Sequence, residues 1–165
     1  MLELTFEQAI TATENLLSRP DISPAELESA LKELLQSMDG ARGFWVTYLT
    51  GDWELQDHSP LLNALRAVPI PSAELMVKNV AMSTAMAITH QRNGDMESAR
   101  SSQKVTQRSL KLLQLWQSDT AKAIAQAMHD SALGRSEAYA SFLEKWDYDA
   151  EQKTKIAEAL AVLLS

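Results

Sequence analysis

Apolar residues recur every three or four positions along nearly the whole chain, and no stretch alternates apolar and polar residues with period two. That spacing is the mark of amphipathic helices rather than strands. Phe6, Ala9, Ile10, Thr13, Leu16 and Leu17 predict a first helix from Thr5 to about Ser18, with Thr5 as N-cap and Gln8 three residues on; Pro20 ends it. Ser23-Pro24-Ala25-Glu26 brings together an N-cap serine, a proline at the first helical position and a capping-box glutamate. The helix that follows carries Leu27, Ala30, Leu31, Leu34, Leu35 and Met38 on one face, and Asp39-Gly40 is expected to close it with a left-handed C-cap. A third helix is predicted over about Ala41 to Thr50, stopped by Gly51-Asp52. Ser59-Pro60 then starts a short helix that Pro69 and Pro71 terminate.

From Ser72 the elements lengthen. Ser72 is expected to cap a helix of about 20 residues ending at Arg92, with Glu74 complementing its dipole. Asn93-Gly94-Asp95 reads as a tight turn, which makes the next helix an antiparallel neighbour. That return helix, with Ala99, Val105, Leu112, Leu113 and Trp116 in one sector, either breaks near Ser118-Asp119 or continues to Leu133 at Gly134. Two more follow, about Ser136 to Trp146 (face Tyr139, Phe142, Leu143, Trp146) and Asp149 to Leu164 (face Ile156, Leu160, Leu163, Leu164), with Asp149 as N-cap. The expectation is an all-α fold of seven to nine helices. A single helical domain over 1–165 is expected, its short proline-punctuated helices (1–71) packed on long antiparallel ones (72–165).

Composition agrees and adds an asymmetry. Glycine and proline together are 10 of 165 residues, against 23 alanines and 23 leucines. All five prolines lie in the first 71 residues. Up to Pro71 there are 11 acidic and 4 basic residues, and from Ser72 onward 11 of each, so the formal charge of -7 belongs to the first part. A hydrophobic share of 45% excludes an intrinsically disordered chain. With no cysteine there is no disulfide, thiolate-bound zinc, iron–sulfur cluster or thiol nucleophile. The start, Met1 to Glu7, lacks the basic residues and apolar run of a signal peptide. The most apolar window, Leu75 to Ile88, contains Lys78 and Asn79 and is too short to span a membrane. A cytoplasmic, soluble protein is therefore expected. A pI near 4.9 argues against nonspecific nucleic-acid binding.

Candidate chemistry is sparse. Arg100, Lys104, Arg108 and Lys111 fall within an arc of about 80°, with no acidic residue between Ser98 and Ser118. They form a one-signed stripe about 16 Å long. Such a stripe suits an acidic protein partner, though a solvated face balanced by the acidic first part would look the same. Phe44, Trp45, Tyr48 and Trp53 concentrate aromatic surface, with Trp45 and Trp53 as candidate partner anchors and core packing as the plainer explanation. Gly40, Arg42 and Gly43 could offer backbone N–H groups to an anion, or simply cap one helix and open the next. Met76, Met82 and Met86 sit among small residues on the helix from Ser72, as in a central packing helix. His58, His90 and His129 lack the spacing that puts two metal ligands on one helical face. Asp52, Glu54 and Asp57 lack the EF-hand pattern. No nucleophile elbow, dinucleotide fingerprint or P-loop occurs. No catalytic residue, metal or cofactor is assigned. The expected function is a non-catalytic interaction or adaptor module that uses the basic stripe. The alternative is a carrier or sensor of an apolar small molecule, its cavity lined by Phe44, Tyr48, Met76, Met82 and Met86. Homo-oligomerisation is a third reading.

Two resemblances are visible. Asn93-Gly94-Asp95-Met96-Glu97-Ser98-Ala99 is similar to the turn and second-helix start of a tetratricopeptide repeat, but Gln103 and Thr106 depart from that pattern and no 34-residue period recurs. The shared feature is the helix–turn–helix corner. The stretch from Gly40 through Arg92, with "GARGFWVTYLTGD" and "LMVKNVAMSTAMAITHQRNGD", resembles an uncharacterised helical protein family of photosynthetic bacteria. That resemblance implies a soluble cytosolic protein and carries over no site residues.

Overall fold

The computed structural model describes residues 4–164. They are 75% helical, in nine helices, and no strand occurs among the described residues. The chain divides into two compact units, one ending at Leu75 and the other beginning at Met76.

The first unit holds α1 (Phe6–Leu17), α2 (Pro24–Leu35), α3 (Met38–Thr50), α4 (Ser59–Ala67) and the first turn of α5 (Ser72–Arg92). α3 packs on α1 and α2, and α4 packs on α2. Thr5 and Gln8 form the expected capping box. Ser23 caps α2, but Glu26 does not reach back to the Ser23 N–H. Its carboxylate accepts from the Ser23 hydroxyl at 3.1 Å and from Arg19 at 3.2 Å. The α2–α3 junction corrects the sequence reading. α2 stops at Leu35, and Ser37 caps α3 by accepting the Gly40 N–H at 3.0 Å, so Asp39-Gly40 opens a helix instead of closing one. Gly40 is needed for space: a Cβ there would collide with the Leu34 carbonyl oxygen. Gly43 is similar, because a Cβ would overlap that of Ala9 on α1. This missing side chain lets α1 lie against α3. Ser59 stands inside α4, with His58 at the N-cap position and Asp57 accepting the Ser59 N–H at 2.9 Å. Ser72 likewise does not act as a cap. It is fully buried, and its Oγ accepts the Trp45 indole N–H at 2.9 Å. Around that bond Phe44 and Trp45 meet edge to face at 4.8 Å and Phe44 stacks on Tyr48 at 5.5 Å.

The second unit holds the rest of α5 with α6 (Met96–Trp116), α7 (Asp119–Ala132), α8 (Ala140–Lys145) and α9 (Ala150–Ala161). Gly94, at φ 74°, ends α5: its N–H reaches the Gln91 carbonyl and the Asp95 N–H that of His90, while Asp95 caps α6. Ser83 and Thr106, nearly equidistant in sequence from Gly94, bring their hydroxyls within 2.6 Å, so α5 and α6 are antiparallel neighbours. Of the two expectations for α6, the break holds. Gln117 turns left-handed (φ 51°), and Ser118 caps α7 by accepting the Ala121 N–H at 3.1 Å. α8 is shorter than expected because Tyr139 gives its N–H to the Ser131 hydroxyl at the end of α7, which holds 136–139 out of the helix. Leu143 is buried, whereas Trp146, expected on the same buried face, is 46% exposed. α9 packs on α7, with Met128, Ile156 and Leu160 fully buried. It ends at Ala161, leaving Leu163 and Leu164 half-buried beyond it. Asp149 and Gln152 close a capping box at its start. Gln152, itself buried, also donates to the Ala85 carbonyl at 3.1 Å and the Thr89 hydroxyl at 3.0 Å, tying α9 to α5.

Candidate interaction surface on the second unit

α6 is amphipathic and rich in good helix formers, and its apolar sector (Ala99, Leu112, Leu113, Trp116) is buried, which turns its cationic sector away from that core. The four cations do not share one environment. Arg100 and Lys111 are exposed and have no ion pair among the described residues, whereas Lys104 and Arg108 are half-buried.

The other candidates scatter. Trp45 is only 1% exposed and spends its N–H on Ser72, so it is a core residue of the first unit, as are Phe44 and Tyr48. Trp53, in the first unit, is half-buried. Met76 is fully buried, Met82 half-buried and Met86 exposed; Met82 and Met86, four residues apart, share a face of α5 that lies about 80° to 120° from Met76. Gly40 and Gly43 are buried inside α3, and the Gly40 N–H is taken by Ser37, so this segment presents no open anion cradle. His129 Nδ1 lies 3.0 Å from Asp130, and no cluster of three potential metal-binding side chains occurs among the described residues.

Beside the cationic row runs a groove of about 490 Å³. α5 contributes Thr84, Ala87, Ile88 and Gln91; α6 contributes Gln103, Thr106 and Gln107; Glu151, Lys155, Glu158 and Ala159 of α9 form the far wall. Its apolar residues are few, Ala87, Ile88 and Ala159, and the rest of the lining is amides, hydroxyls and charges. Gln107 and Gln103 stand about 20° and 60° round α6 from Arg100 on one side, with the other cations about 20° to 80° on the opposite side. The amide row and the cationic row are therefore adjacent. On α9 the charges are answered locally: Lys155 pairs with Glu158 at 3.1 Å, and Glu151 with Arg92 at 3.1 Å. Arg92 also bonds Asp149 at 2.6 Å, and this guanidinium holds the Asp149 carboxyl below the usual aspartate range. Charge that stays unanswered at the groove's edge belongs to Arg100 and Lys111. Such a surface can bind through hydrogen bonds and positive potential. The glutamines were visible in the sequence as an i, i+4 pair on a polar face, but nothing local showed that α9 lies across from them. A second depression of about 470 Å³, at the α6–α7 corner beside Val162, is lined mainly by polar groups.

No helix among the described residues is long and apolar enough to cross a membrane. No curated protein and no solved structure matches the chain. The model of the family described as "Uncharacterised conserved protein UCP020893" matches residues 5–163, and the chain belongs to that family.

Proposed function

We propose that the chain is a non-catalytic protein-interaction module that docks an acidic partner on the α6 side of its second unit. One observation carries the reading. Arg100 and Lys111 are exposed and without an ion pair among the described residues, on a helix with no acidic side chain between Ser98 and Ser118. Uncompensated charge of one sign on a rigid helix raises encounter rates with an oppositely charged surface, an effect that salt screens. Lys104 and Arg108 lie half-buried on the same sector of α6. We place the protein in the cytoplasm, in keeping with its lack of cysteine, and read the family as one of photosynthetic bacteria; its distribution across genomes tests the latter.

The test is site-specific photocrosslinking from position 107 in cell lysate at low and high salt. Adducts are expected with the wild type at low salt. They should be lost at high salt, in the Arg100→Gln/Lys111→Gln variant, and in the variant with Arg100, Lys104, Arg108 and Lys111 all changed to Gln. The double variant alters only exposed side chains and so guards against a folding defect in the fourfold one. Unchanged adducts in the double variant would refute the reading.

A further inference from the structure

We infer that the groove between α5, α6 and α9 takes an extended, acidic peptide segment of the partner, held along its backbone by glutamine carboxamides; this rests on the interaction reading above. The lining decides the class of occupant. Gln91, Gln103 and Gln107 are exposed, and each carboxamide offers both donors and an acceptor to the groove. An extended peptide presents N–H and C=O groups alternately to either side, which such rims can satisfy. A docked amphipathic helix has no free backbone groups at its middle. Its apolar stripe would strip water from these amides and from Thr84 without replacing the lost hydrogen bonds. The apolar residues of the lining are few, Ala87, Ile88 and Ala159, and give such a stripe little surface to cover.

Length and charge narrow the occupant further. Thr84 to Gln91 on one wall and Glu151 to Glu158 on the other each run about 10 Å along a helix axis, the span of about three extended residues. The carboxylates of the α9 wall are engaged by Arg92 and Lys155, so they neither demand nor strongly repel a charged ligand. Arg100 and Lys111 on the α6 side are left to be answered, and they call for Asp or Glu flanking the three-residue core.

The experiment selects random heptapeptides displayed on phage against the full chain and measures the selected sequences by fluorescence anisotropy. Binders enriched in Asp and Glu are expected. Gln103→Leu/Gln107→Leu should weaken them tenfold or more with the helical circular dichroism unchanged, and Arg100→Gln/Lys111→Gln should weaken them and flatten their salt dependence. Transferred nuclear Overhauser effects should show an extended bound peptide. A helical bound peptide, or no enrichment over background, overturns the inference. If the charge variant weakens binding and the glutamine variant does not, docking lies outside the groove: the interaction reading survives and this inference falls. If the glutamine variant weakens binding and the charge variant does not, the acidic class falls and the interaction reading with it.

Discussion

Removing the Ser72 hydroxyl should cost the first unit far more than one exposed serine is worth. Ser72 is fully buried, Trp45 is 1% exposed, and the indole N–H reaches Ser72 Oγ at 2.9 Å. In Ser72→Ala the indole N–H stays in a dry interior without its acceptor, a loss of about 1–3 kcal/mol. Trp45→Phe removes the donor and also vacates the space of the indole's second ring, so about 2–4 kcal/mol is expected from cavity formation and the lost bond together. In the double variant the orphaned N–H no longer exists, and the cost of Ser72→Ala should almost vanish. The cycle should therefore show a coupling close to that cost, about 1–3 kcal/mol. Urea unfolding followed by circular dichroism reads it: with a slope of about 2 kcal/mol/M, Ser72→Ala should lower the midpoint by about 0.5–1.5 M. Ser29→Ala, at an exposed position on α2, is the control and should stay within about 0.5 kcal/mol. If the two core substitutions are additive to within about 0.3 kcal/mol, the bond is not what fixes Trp45.

Other parts of the molecule make equally direct predictions. Gly43→Ala places a methyl group on Ala9 Cβ and forces α1 outward; an overpacking cost of about 1–3 kcal/mol, less about 1 kcal/mol gained in helix propensity, leaves a net loss in thermal unfolding. A stabilised variant would show that the contact relaxes freely. Because Arg92 depresses the Asp149 pKa, the stability that this pair adds is present above the ordinary aspartate range near pH 4 and disappears as pH falls through the lower, folded-state value. Wild type and Arg92→Gln should differ in unfolding midpoint at pH 7 and converge once the pH lies below the depressed folded-state value; a pH-independent difference would mean that the pair acts through packing alone. Burial pushes the Tyr148 phenol up to about 12. Since an unfolded tyrosine titrates near 10, stability should fall between about pH 10 and 12. In a spectrophotometric titration one tyrosine should ionise late, and Tyr148→Phe should remove it.

Helix ends were legible where the capping chemistry is contained within a few residues. Thr5 with Gln8, Gly94 with Asp95, and Asp149 each satisfy backbone groups no more than five positions away, so the sequence pattern and the geometry coincide. The misread junctions all depend on something distant or unobvious. Gly40 resembles a helix stop because glycine tolerates a left-handed backbone, but here it clears the Leu34 carbonyl inside a new helix. Ser72 resembles a cap because serine usually is one ahead of a helical run, but its hydroxyl belongs to Trp45, 27 positions earlier. The expected helix from Ser136 starts late because Ser131 captures the Tyr139 N–H. In each case a tertiary or medium-range partner outbids the local preference.

The candidate surface divides along the same line. A helical wheel ranks Arg100, Lys104, Arg108 and Lys111 as equals, because it knows only angle. The fold separates the exposed outer pair from the half-buried inner pair, and the outer pair has no ion pair among the described residues, so electrostatic reasoning now rests on Arg100 and Lys111. Gln103 and Gln107 carry no binding signal in the sequence, because uncharged polar residues on a helix face are ordinary; their place on a groove comes from α9, whose approach is fixed by Gln152 and Arg92 reaching residues about 60 positions away. Nor does the formal sum of -7 describe this surface. The boundary after Leu75 lies four residues past the last proline, within α5, and leaves 12 acids against 4 bases in the first unit and 10 against 11 in the second. The partner proposed above would meet a nearly neutral second unit with a cationic helix edge, and specificity there would have to come from where the charges stand rather than from how many there are.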